Sequence, residues 1–288
     1  MFGRATRRII VTADDFGMDL AINEAVEAAH REGVLTSASL MVTGRAVDDA
    51  VARARALPEL GVGLHLALVD AAPALPPGKV RELVEKDGRF PADPRRQARR
   101  LFSSGLARQQ ARQEMRAQFA RFRQTELAFD YVDGHHHFHL HPAVLPAVLL
   151  LAKEFGVPAV RVPLEPAWNR FRPGLWLRNL QARRLRRRAR KVGLLCNDRL
   201  VPAAEGRALA TLQRLLGAPP RGLTEIYLHP AARAWQPGDP WPADHDGEAE
   251  LRALRDPSLN ELAAAKPGLL ATFRAVAAET AARQSQRT

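Results

Sequence analysis

Short β-branched or apolar runs alternate with longer amphipathic stretches along this chain, and that alternation restricts its fold more than any other feature. Residues 8–13 (RIIVTA), 35–42, 61–68, 129–132, 159–162 and 223–228 have the composition of buried strands. Helical patterns occupy residues 20–31, 46–57, 109–123, 142–155, 179–192, 203–216 and 267–283. A strand that returns through a helix to its own sheet must run parallel, by a right-handed crossover. The chain is therefore expected to be α/β. With no linker and no repeat, residues 1–288 are expected to form a single domain, with a Pro/Arg-rich excursion near 70–125 and a basic helical segment near 174–192. A doubly wound sheet and an α/β barrel both fit the alternation. The polar residues favour an irregular (β/α) TIM-like barrel. Asp14 and Asp15, His65, His135 and His229 stand at or near the C-terminal ends of four different strands. A barrel gathers such ends on one face, whereas an open sheet spreads them along a line.

Composition narrows the function classes. Hydrophobic residues form 46% of the chain, enough for a sizeable core. The one cysteine, Cys196, excludes a disulfide framework and a Cys-rich zinc site, and suits a reducing cytoplasm. The N-terminal apolar run IIVTA is too short for a leader core, and no run reaches the roughly 18 apolar residues of a spanning helix. A cytoplasmic protein, at most peripheral at the inner membrane surface, is expected. The net charge of +12 is mostly arginine, alongside abundant alanine and proline, as GC-rich coding produces without any ligand. A nucleic-acid-binding protein would explain that charge. It would not explain the carboxylates and imidazoles at strand ends, and the chain has two tyrosines and no helix-turn-helix or RNA-binding signature, so no nucleic acid is expected.

The polar residues carry the chemistry. Two adjacent carboxylates at a strand end repel each other and call for a cation, although helix capping is the alternative use of one of them. The Phe16-Gly17 that follows predicts a tight turn that brings backbone N–H groups toward the site, where they could hold an oxyanion. His65, alone in an apolar strand, has a core role as its alternative. The segment 133–142 (DGHHHFHLHP) has no bland reading as good. Five of the nine histidines fall within seven positions, which makes a poor core and points to metal ligation or acid–base work. His135 is nearest the strand end, and His137 and His139 are candidates for lining the pocket or for supporting hydrogen bonds. One carboxylate and two imidazoles from three strands make a three-ligand face with open positions, the arrangement of a hydrolytic metal site. A second carboxylate beside it suits a general base, and His229 a general acid.

Taken together, TADDFG, GLHL, GHHHFHLHP, AVRVP and EIYLHP resemble the motifs of the YdjC-like carbohydrate deacetylases, in the same order and at similar spacing. Within that family the segments VTADDFG, NEAVEAAHREGVLTSASLMV and AVRVPLEP are most similar to the hopanoid-biosynthesis-associated branch. The resemblance implies an irregular α/β barrel and one divalent ion, magnesium or zinc, held by Asp15, His65 and His135. It implies Asp14 as catalytic aspartate, His229 as the late-strand histidine and Arg161 as the residue that orients the base. Phe16, His137 and His139 are the expected substrate contacts. The implied reaction removes acetyl from an N-acetylated sugar, on N-acetylglucosaminyl hopanoid or on a soluble chitooligosaccharide. The three consecutive histidines 135–137 leave open which of them faces the ion.

One local charge cluster stands apart. Seven Arg or Lys lie between Arg183 and Lys191, just after Trp168, Phe171, Leu175 and Trp176. A solvated helix face is the plain reading. Contact with an anionic membrane is the other, and a lipid-linked sugar would give it a purpose. A homo-oligomer is the open alternative to a monomer.

Overall fold

The computed structural model describes residues 6–164, 173–203 and 206–286. Trp168 and Phe171, and the side chains of Leu175 and Trp176, lie outside the described residues. The strands are β1 (Arg7–Phe16), β2 (Ser37–Leu40), β3 (Gly61–Leu66), β4 (Val132–Gly134), β5 (Ala159–Val160), β6 (Leu195–Cys196), β7 (Arg199–Pro202) and β8 (Gly222–Leu228). The helices are α1 (Leu20–Glu32), α2 (Val47–Arg55), α3 (Pro94–Ser103), α4 (Gly105–Gln124), α5 (Leu145–Glu154), α6 (Pro173–Lys191), α7 (Ala208–Gly217), α8 (Gly247–Leu254), α9 (Pro257–Ala264) and α10 (Phe273–Ser285). All strand pairs are parallel, in the order β6-β5-β4-β3-β2-β1-β8-β7.

The sheet is curled into a TIM-like half-barrel, and its two edge strands follow one another directly in the chain. Only Asn197 and Asp198 separate β6 on one edge from β7 on the other. Two residues cannot cross a flat sheet of eight strands, where neighbours lie about 4.8 Å apart. In effect β6 and β7 are one bent strand that leaves β5 and joins β8. At the bend the Asn197 side chain substitutes for the backbone ladder. Its Oδ1 accepts from the Val162 N–H at 2.6 Å and its Nδ2 donates to the Val162 carbonyl at 2.9 Å. Just beyond, the Leu200 N–H reaches the Leu164 carbonyl at 2.9 Å.

β1 is central, with β2 on one side and β8 on the other, and its last eight residues are buried. The helix starts follow local capping chemistry. Asp19, Asp93, Ser104, Asp246 and Asp256 each accept a backbone N–H in the first turn of α1, α3, α4, α8 and α9. The Pro/Arg-rich excursion differs from a loop in this respect, since Asp93-Pro94 opens α3 and Ser104 opens α4. No helix among the described residues is long and apolar enough to cross a membrane.

Candidate active site

The end of β1 is irregular, and the irregularity builds the site. Pairing with β2 shifts register between Ala13 and Phe16, so Asp14 and Asp15 occupy a bulge. Asp15 takes φ 63°, a left-handed conformation that costs a non-glycine residue about 1 kcal/mol or more. Gly17 (φ 91°) completes the turn, where a side chain would be strained. Asp70, His136 and His137 also have positive φ, at 49°, 53° and 54°. All four of these strained residues line one cavity of about 610 Å³. Strain of this kind persists only where the surroundings impose it.

Three ligand atoms converge at the cavity floor. Asp15 Oδ1 lies 2.9 Å from His135 Nδ1 and 3.3 Å from His65 Nε2. One ligand atom from each of the three residues falls within 4.8 Å of the other two. Yet Asp15 Oδ1 is buried and has no hydrogen bond of acceptable geometry. Ligand atoms this close together, with a buried carboxylate oxygen among them left unsatisfied, suit a shared cation. The donor set, one carboxylate and two imidazoles, fits a divalent ion with positions left for water and substrate.

His65 is oriented from behind. Its Nδ1 lies 2.8 Å from Asp133 Oδ1, which turns Nε2 toward Asp15. Burial alone would lower the His65 pKa. The adjoining Asp133, then Asp15 and Asp14, outweigh it and raise the value to about 10. For Asp15 burial works upward, but His135 and His65 prevail and hold the carboxyl well below its usual range. The carboxylates and imidazoles here thus stabilise each other's charged forms.

Beside this trio stands a fully buried guanidinium. Arg161 follows β5 and touches three carboxylates. Its Nη1 and Nη2 hold Asp14 at 2.6 and 2.8 Å, Nη1 also reaches Asp133 at 2.6 Å, and Nε reaches Glu225 at 2.9 Å. The rings of Tyr227 and Tyr131 flank it at 5.5 and 5.8 Å. Ser39 Oγ lies 3.2 Å from Asp14 and 2.9 Å from Asp133. Asp14 is therefore fixed in orientation and still lines the cavity.

The expected site residues divide clearly. Asp14, Asp15, His65, His135, His137 and His229 all line the cavity. Arg161 lies behind it and acts on Asp14. Two expected substrate contacts are corrected. Phe16 is fully buried in the apolar core, because the bulge turns it away from the cavity that Asp14 and Asp15 face. His139 is buried too. Burial lowers its pKa to about 4, and its Nε2 lies 3.1 Å from the Arg161 carbonyl, so it is a neutral support for the backbone behind the site. Nor is the Gly17 amide available to an oxyanion, since it donates to Asn23 Oδ1 at 2.8 Å. Among the three consecutive histidines, His135 faces Asp15 while His136 is exposed at the rim.

Sequence reasoning missed Asp133, Ser39, Glu225, Tyr227 and Trp241. Asp133 had a signal, since it precedes the histidine run by two positions. Ser39 had none, because a lone serine inside an apolar strand is unremarkable until two carboxylates are folded against it. Trp241, with Pro240 and Pro242, forms an apolar wall of the cavity opposite in character to the polar floor.

A family model described as YdjC-like protein matches residues 8–265. A carbohydrate deacetylase of Brevibacillus brevis is 44% identical over 156 residues, covering 54% of this chain and 59% of that protein. One from Geobacillus stearothermophilus is 38% identical over 152 residues, covering 53% and 58%. One from Thermoanaerobacter pseudethanolicus is 27% identical over 228 residues, covering 77% and 80%. The match thus spans less than two thirds of the first two relatives' lengths. The crystal structure of an Enterococcus faecalis protein, described provisionally as a cellobiose-phosphate cleavage protein, shares the fold. Its TM-score is 0.74 at 24% identity, covering 94% of this chain and 99% of that one.

Proposed function

This chain belongs to the YdjC-like family, and from that membership we propose that it hydrolyses the acetamide of an N-acetylated amino sugar, releasing acetate and a free amine. The observation that carries the reading is the convergence of Asp15, His65 and His135 beside an Asp14 held by Arg161. The relatives described as carbohydrate deacetylases support the same substrate class.

Asp15, His65 and His135 would hold one divalent ion, magnesium or zinc. Bound there, such an ion supplies Lewis acidity to the acetamide carbonyl and to the attacking water. The chain's own residues do the rest. Asp14 accepts the proton of the attacking water. Arg161 donates to both of its oxygens and Ser39 donates to Oδ1 as well, so the carboxylate cannot rotate away. His229 lines the same cavity and returns a proton to the departing nitrogen. The wall of Trp241, Pro240, Met18 and Ile22 excludes water from the apolar face of a sugar ring.

The finer proposal is that the sugar is N-acetylglucosamine on a hopanoid lipid, reached through peripheral contact with an anionic membrane. Its support is the sequence resemblance to the hopanoid-associated branch and the cluster of cations on α6. The experiment measures acetate released from N-acetylglucosaminyl hopanoid and from N,N′-diacetylchitobiose, each with zinc, magnesium or chelator. Release from the hopanoid alone supports the finer reading, and release from chitobiose alone replaces it with a soluble substrate. No acetate from either, with either metal, sinks the deacetylase. Asp14→Asn is expected to lose at least about 10²-fold in turnover while metal content stays near that of the native protein. Parallel loss of metal and turnover would make Asp14 a ligand.

A further inference from the structure

The ladder between β1 and β8 stops at Ala13 and Leu228, and Pro230 follows His229, so sheet pairing does not hold the backbone of residue 229. Other groups do. Glu250 Oε2 accepts from the His229 N–H at 2.6 Å. His245 Nε2 donates to the His229 carbonyl at 2.7 Å. Two residues on, the Ala231 N–H donates to the Gly247 carbonyl at 3.1 Å. Gly247 presses so close to this turn that a Cβ on it would stand 2.7 Å from the Ala231 Cβ and 3.2 Å from the His229 oxygen. Glu250 is only 5% exposed. A carboxylate that deep is costly, so its hydrogen bond to one backbone amide is the compensation that keeps it there.

We propose that His245, Gly247 and Glu250 form a cradle that aims the His229 imidazole at the reacting centre, with His245 and Glu250 as positioning residues. The inference rests on the reading of His229 as the proton donor. A residue just past a strand end can swing about its own φ and ψ, and proton transfer needs heavy atoms within about 2.6–3.2 Å. A misplacement of about 1 Å can cost on the order of 10²-fold in rate. The cradle takes up that freedom from both sides of the peptide. His245 and Glu250 line the same cavity as His229, and the two imidazoles meet edge-on at 5.7 Å. The segment that delivers them is itself tied down, because Arg233 grips Asp239 at 2.6 and 2.8 Å.

The test is a set of substitutions read by kinetics and by NMR on the full chain. Glu250→Ala and His245→Ala are expected to lower kcat by about 10- to 100-fold while KM changes less than about 3-fold. Glu250→Gln keeps an acceptor and His245→Gln keeps a donor, so each should recover most of that loss. In a His229→Ala background the same alanine changes should lower kcat no further, because the group they aim is gone. The second readout needs no turnover. The His229 amide proton is expected downfield, as a 2.6 Å bond to a carboxylate demands, and Glu250→Ala should move it upfield. Losses that persist undiminished without the His229 imidazole would overturn the proposal. So would an amide that Glu250→Ala leaves unmoved, and this holds even if the native protein releases no acetate. If Glu250→Ala does not fold, the His245→Ala and His245→Gln pair decides.

Discussion

Arg161 is one positive charge among three buried carboxylates, and Glu225 is the one left least satisfied. Its Oε1 takes the Arg161 Nε and Thr12, whereas Oε2 has no partner. Burial pushes its pKa up to about 7, against the pull of Arg161. An acid whose pKa rises on folding stabilises the protein fully below its unfolded value, near 4.5, and that stabilisation disappears as pH climbs through 7. Glu225→Gln mimics the protonated form and should not lose it. The variant is expected to match the native protein near pH 4 and to exceed it above pH 7 by up to about 3 kcal/mol. Urea unfolding at a series of pH values checks this, and a difference between the two proteins that does not change with pH would refute it. In the sequence, Glu225 is one polar residue in an apolar strand. Its meaning comes from Arg161, 64 positions away, packed against it.

The bent strand decides whether the sheet can curl. β6 and β7 are two and four residues long, too short for any periodicity to reveal. Their closure depends on Asn197, whose side chain satisfies both the N–H and the carbonyl of Val162. Asn197→Ala would leave the Val162 N–H without a partner, at about 1–3 kcal/mol, while the Val162 carbonyl keeps its bond from the Leu164 N–H at 2.7 Å. A loss of about 1–3 kcal/mol in denaturant unfolding is expected, with faster hydrogen exchange at the Val162 amide. An unchanged Val162 amide would mean that the seam closes by other contacts. The longer elements were legible for the opposite reason. α1, β3 and β8 lie within a residue or two of their sequence-based bounds, because each carries its own hydrophobic pattern and boundary residues. α8 and α9 escaped because eight-residue helices hold too few turns for a pattern.

Across the whole molecule, the surplus of positive charge concentrates on α6. The helix buries Ala182, Leu185 and Ala189 and exposes Arg183, Arg184, Arg187, Arg188 and Lys191. Arg186 and the likewise exposed Arg190 pair with Asp198, and none of the other five cations has a carboxylate partner among the described residues. A basic face of this kind attracts anionic lipid by about 1 kcal/mol per charge near the surface. The native protein should therefore sediment with vesicles rich in phosphatidylserine and not with neutral ones. Replacing Arg183, Arg184, Arg187 and Arg188 with Glu should abolish that binding and leave hydrolysis of a soluble acetylated sugar unchanged. A native protein that stays in the supernatant with anionic vesicles would reduce the face to a solvated one.

The sequence by itself determined the α/β alternation, the parallel sheet and the identity of the residues at the strand ends, because these follow from local patterns and from residue chemistry. It marked Asp14, Asp15, His65, His135 and His229 as belonging together, since a curled parallel sheet presents all its strand ends on one face. Only the tertiary structure decided which atoms meet. The bulge at Asp14 and Asp15 turns Phe16 inward, the left-handed rim separates His135 from His136, and Arg161 gathers carboxylates from β1, β4 and β8. These depend on side chains tens to more than a hundred residues apart, whose burial and charge act on one another only once the chain has folded.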